Sequence, residues 1–174
     1  MLIDCSYFIN GPRHIQNATL GKATAGKMPN VNSAEVNDAI EAYIRMFQWP
    51  FLKEALGPTI AGDVISYLEL IEQDEDVERD MALDMVIEQL REPFANYVFY
   101  KILRDSNSQA TITGLVRLKC ANDYVAPIRR QVSAWNDMVE MMADFSAWSK
   151  SSDCHVSGVV TDTNLLTRIN VLNL

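Results

Sequence analysis

The residues in this chain best placed to do chemistry are its acids, because they crowd into one stretch. Ten acids stand between Glu69 and Glu92 against two bases, Arg79 and Arg91, so this segment carries −8, the formal charge of the whole 174-residue chain. Asp74, Asp76, Glu78 and Asp80 alternate as the first ligands of an EF-hand calcium loop do. The pattern then fails, because the glycine required at the sixth position and the glutamate required at the twelfth are missing. Asp80, Asp84, Glu88 and Glu92 recur every four residues, which places them on one solvated side of a helix. A surplus of this sign also argues against a nucleic-acid grip, which depends on Lys and Arg neutralising phosphates.

Other reactive side chains fall into no catalytic pattern. His14 and His155 both lie in irregular segments with no nucleophile paired to them in sequence. No serine sits in a Gly-x-Ser-x-Gly elbow, and the seven glycines are too scattered for a phosphate loop. Cys5, Cys120 and Cys154 are odd in number and widely spaced, so reduced thiols are expected rather than a disulfide framework. Cys154 and His155 are neighbours, and adjacent residues rarely ligate one metal together. We therefore expect no enzyme, no cofactor and no metal.

The elements that position these residues read as mainly α: a bundle of about four to five helices with a short β-hairpin or strand arm and extended terminal arms. Residues 1–32 form an N-terminal arm and loop, extended over 1–16 with a turn signal at Asn10-Gly11-Pro12. Residues 33–150 form the helical domain. Its first helix starts near Asn32-Ser33, carries Val36, Ile40, Tyr43, Ile44 and Phe47 at helical spacing, and should break at Pro50, beside Trp49. A short helix through Phe51, Leu52 and Leu56 then stops at Gly57-Pro58. Another follows from Ile60 to Gln73. After a junction at Asp74–Asp76, where Asp76 could serve as the cap, a long helix runs to about Arg104 and is kinked or divided at Pro93. Residues near 108–120 alternate apolar and polar with β-branched types, a strand-like insertion. The final helix carries Val125, Ile128, Val132, Trp135, Val139, Met142 and Phe145 as a seam of period near 3.5. Trp135 reads as core, and Trp148, off the seam, as an interface aromatic. Residues 151–174 read as an extended C-terminal tail too apolar to float free. No apolar run reaches the ~20 residues that span a bilayer, and Met1 to Cys5 show no basic or long apolar leader, so neither membrane nor secretion is expected.

Three stretches carry a family resemblance. They are Tyr97-Val98-Phe99-Tyr100 followed by Arg104-Asp105; Thr111-x-Thr113-Gly114-x-Val116 followed by Lys119, Ala121 and Asn122; and Ala134-Trp135-Asn136-Asp137-Met138-Val139-Glu140. Their order resembles the head–tail connector (neck or head-completion) proteins of tailed phages, chiefly over residues 94–142, and Tyr7-Phe8-Ile9 with Pro12 looks like the start of such chains. The resemblance implies a structural virion protein, made in a bacterial host cytoplasm, that forms a homo-oligomeric ring between portal and tail. Such a ring contacts tail-completion proteins and lets DNA pass without specific binding. The family carries no catalytic residues, so none transfer.

Ring subunits join a compact body to arms that reach their neighbours. The candidate interface residues are accordingly Tyr7, Phe8, Ile112, Val116, Trp148, Ile169 and Val171, and Asp80, Asp84, Glu88 and Glu92 are the candidate acidic lining of a channel. The first alternative is a bacterial helical adaptor that binds a basic protein through its acidic helix. The second is an enzyme whose site joins residues distant in sequence, such as His14 and a remote acid.

Overall fold

Apolar periodicity does produce helices here, but two prolines fail to interrupt them. In the computed structural model, which describes residues 1–19, 31–74, 77–105, 108–111, 114–117 and 128–172, helix α1 runs unbroken over Val31–Leu56 with Pro50 inside it. The two helices expected on either side of Pro50 are thus one. Helix α3 (Met81–Asp105) likewise continues through Pro93. An interior proline costs about 3 kcal/mol. Around each proline stand large side chains that repay continuity: Ile44, Phe51 and Leu52 in α1, and Leu90, Phe94 and Val98 in α3, are fully buried.

Helix α2 (Pro58–Gln73) follows α1 after a single residue. Gly57 adopts φ +84°, a conformation that L side chains rarely reach, and it serves both helices. Its N–H donates to the Lys53 carbonyl, ending α1, and its carbonyl accepts from Ala61, starting α2. Pro58 at the first helical position loses nothing by lacking an N–H. The cap of α3 is Asp80 rather than Asp76, which lies outside the described residues. Asp80 Oδ1 accepts from the N–H groups of Ala82 at 2.9 Å and Leu83 at 3.2 Å.

Helix α4 (Ile128–Trp148) packs along α3. Its most buried stripe is Gln131, Ala134, Met138, Met142 and Phe145, rotated slightly from the expected seam, so that Val132 and Trp135 lie at its border. Gln131 is tolerated in that stripe because its Nε2 donates to the Leu103 carbonyl at 2.8 Å, near the end of α3 where carbonyls lack helical partners. Between α3 and α4, strands β1 (Ser108–Thr111) and β2 (Gly114–Arg117) pair antiparallel. Ile112, Cys120 and the rest of the expected strand region lie outside the described residues.

The terminal segments differ from the extended reading. Residues 1–19 make two short 3-10 turns, Cys5–Phe8 and Gly11–Arg13, and bury Leu2, Ile3, Cys5 and Phe8 in the core. Burial of these four apolar side chains removes them from water at roughly 25 cal/mol per Å² and explains the collapse onto α1. Residues 151–172 cross the body as an irregular strap with one 3-10 turn at Thr163–Leu166. The strap folds back on its own chain, and Leu165 is its fully buried anchor.

Candidate interaction site

The acidic face is the natural starting point, and each of its four members already has a partner. Asp80 caps α3. Asp84 is held in a fork by Arg79, with Nε donating to Oδ2 at 3.1 Å and the guanidinium NH2 to Oδ1 at 2.9 Å. The Tyr67 hydroxyl joins the same cluster: it accepts from the Asp80 N–H at 2.9 Å and donates to Asp84 Oδ1 at 3.1 Å. Burial pushes the Tyr67 phenol above its usual range. This cluster staples α2 to the first turn of α3. Glu88 pairs with Arg91 at 2.8 Å, and Glu92 with Arg13 at 2.6 Å. The expected solvated acidic stripe therefore has arginine partners at three of its four members. The segment keeps a surplus all the same, since its ten acids face only Arg79 and Arg91 from within, together with Arg13 on Glu92 and the Met1 amino group on Glu72.

Beside the staple lies an open groove of about 480 Å³. Leu68, Ile71, Met85 and Ile87 contribute its apolar lining, and Glu72, Arg79, Asp84, Glu88 and Arg91 its charges. Met81, one turn before Met85, is 78% exposed. Exposed methionines beside acids make an adaptable surface of mixed character.

The candidate interface residues are divided by the structure. Phe8 is fully buried within its own chain and Tyr7 is half-buried, so the N-terminal segment offers little apolar surface. Val116 lies in β2 opposite Gln109. Trp148 is half-buried beside Phe145, with ring centroids 5.8 Å apart. Ile169 is clamped by Asn136, which accepts from its N–H and donates to its carbonyl, both at 3.0 Å. The strap presents apolar side chains to solvent on both sides of this clamp: Val160 is 68% exposed, Val171 54% and Leu172 96%.

Several contacts were beyond sequence reasoning. Arg13, from the N-terminal segment, also donates to buried Asn96 at 3.1 Å. Arg130 stacks 4.8 Å from the Phe99 ring centroid while donating to the Pro12 carbonyl at 2.8 Å. Two of the stretches that carry the family resemblance meet in space, because Tyr97 and Tyr100 face Trp135 at 6.1 and 4.9 Å. Lys101 sits over Phe47 and Tyr97 at 5.3 and 4.8 Å, and burial lowers its pKa. Trp135 in turn donates its Nε1–H to the Thr167 carbonyl at 2.8 Å, tying the strap to this aromatic joint.

An exposed apolar face on α1 was legible in part. On α1, the exposed residues Ala39, Ala42, Met46, Trp49 and Lys53 follow a 3-4-3-4 spacing, with Met46 66% and Trp49 44% exposed. Treating Trp49 as the residue at a break hid its place in this second stripe.

His14 Nδ1 lies 2.5 Å from the Ile9 carbonyl, and His155 is exposed. Cys5 is buried, with its thiol pushed up to about 11, chiefly by burial. Among the described residues, no three His, Cys, Asp or Glu side chains converge as a metal site, and no helix is long and apolar enough to cross a membrane. No family model, curated protein or solved structure matches the chain.

Proposed function

We propose that this chain is a structural subunit of a tailed-phage neck, assembling as a ring between portal and tail and leaving a channel through which DNA slides. The observation that supports this most is α1. One side of this helix is sealed into the core, and the other offers Met46 and Trp49 to solvent at the spacing of a second helix seam. Apolar faces of this kind mark contacts with other proteins. The resemblance over residues 94–142 supplies the neck assignment. The acid surplus of residues 69–92 suits a wall that repels phosphates, although its arginine partners soften the field.

The test is mass by light scattering, with the protein alone and with portal protein from the same genome. A ring-sized species in either sample supports the neck reading. A monomer that ignores the portal overturns it in favour of a bacterial adaptor whose acidic helix grips a basic protein, the reading that the surplus of acids favours.

A further inference from the structure

Resting on the ring reading, we infer which two faces of the chain meet: the outer stripe of α1 on one copy docks against the acidic shoulder at the start of α3 on the next. Both halves of the contact are present on one chain. The α1 stripe tapers from small to large along Ala39, Ala42, Met46 and Trp49, and Ile40, Ile44, Phe51 and Ala55 hold the opposite side of the helix in the core. A stripe with 3-4-3-4 spacing is the complement of another helix, with its large side chains as knobs. The shoulder presents the matching row, Met81, Met85 and Glu88, at 4-3 spacing on α3.

Charge selects this pairing over two like faces. The C-terminal half of the α1 stripe, from Arg45 to Lys53, carries two bases and no acid, while Asp38 and Glu41 stand at its N-terminal half; Arg45 is 69% exposed and lies 3.7 Å from Glu41. The shoulder lies in the segment with ten acids, of which Glu69, Glu78 and Glu88 are exposed. Placing two α1 stripes in parallel would set base against base. Placing shoulder against shoulder would concentrate the surplus of acids, and like charges in juxtaposition suppress such contacts. A contact between two different faces is heterologous, the type that closes into rings.

Two single variants test the pairing, Met46→Glu on the stripe and Met81→Glu on the shoulder. Both residues are well exposed, so each variant should keep the wild-type circular dichroism and melting curve, which are measured first. Association of wild-type copies is then followed by sedimentation, and each variant should weaken it by about thirtyfold or more, the cost of losing an interface hot spot. Mixing the variants is the decisive step. The Met81→Glu copy keeps an intact stripe and the Met46→Glu copy an intact shoulder, so the mixture should give 1:1 dimers that cannot grow. If Met81→Glu associates like wild type, or if the mixture stays monomeric, the pairing is overturned. Wild-type copies that show no association at any concentration, alone or with portal protein, overturn it as well. Wild-type copies that stop at a dimer, with the mixture also forming one, leave the pairing standing and remove the ring.

Discussion

The two terminal segments are pinned by the same device and seated in different ways. On α1, Asn37 accepts from the Thr19 N–H and donates to the Thr19 carbonyl, both at 3.0 Å. On α4, Asn136 does the same to Ile169. An asparagine side chain reproduces one peptide group, so each clamp grips the backbone as a sheet neighbour would. The seats differ. The N-terminal segment sinks Leu2, Ile3, Cys5 and Phe8 into the core, whereas the strap fully buries only Leu165, half-buries Val156, Val159 and Leu166 against the core, and adds polar bonds such as Thr161 Oγ1 to the Ala55 carbonyl at 3.1 Å. The N-terminal segment is therefore part of the body, and the strap is an attachment to it. Segments with few buried apolar contacts open at lower free energy than the global transition.

Four changes break or sharpen that contrast. Phe8→Ala should cost about 3–5 kcal/mol and lower the melting temperature of the whole chain, read by calorimetry, because it empties a core site. Separate melting of the first 19 residues would refute the idea that they belong to the body. Asn136→Ala removes two hydrogen bonds worth about 1–3 kcal/mol together. It should speed proteolysis and amide exchange in residues 160–172 while the main transition stays nearly in place.

Alkaline titration probes the joint beneath the strap. Burial raises the Tyr97 phenol to about 12, so its contribution to stability is intact below pH ~10, the unfolded value, and is lost as the pH rises toward 12. Tyr97→Phe should flatten that part of the pH–stability curve measured by denaturant unfolding. The smallest effect belongs to Glu54, whose pKa is raised by burial first and by Asp162 second. A raised carboxyl favours the docked strap when protonated, so docking should tighten in mild acid and loosen as the pH climbs past the raised value. Glu54→Gln should remove this dependence. The change should stay within about 0.5 kcal/mol because the group is partly solvated, and amide exchange at Thr161 and Asp162 across that range would show it.

The helices were readable because their apolar residues recur at short range. The stop at Gly57-Pro58 was readable for the same reason, since a glycine followed by a proline punctuates the chain locally. Pro50 misled because a proline's cost is local while the burial that offsets it comes from the tertiary fold, and Pro93, expected to kink or divide its helix, does not divide it. The four-residue repeat of acids correctly marked a helix side. What it could not carry is Arg13 reaching Glu92, or Tyr67 linking Asp80 to Asp84, since those bonds join segments far apart in the chain. The C-terminal tail was expected to dock, on its own chain or on another copy; its seat on its own chain depends on Asn136 and Trp135, whose partners are backbone groups that sequence does not distinguish.

The one-residue joint at Gly57 sets the mechanical phase between α1 and α2. A joint this short has no slack. One inserted residue would advance α2 by about 100° around its own axis, given 3.6 residues per turn. That rotation would swing Tyr67 away from Asp80 and Asp84 and turn Val64 and Leu68 out of the core. The hairpin therefore behaves like a keyed shaft: it tolerates substitutions along its outer surface, but not a change in the length of its elbow.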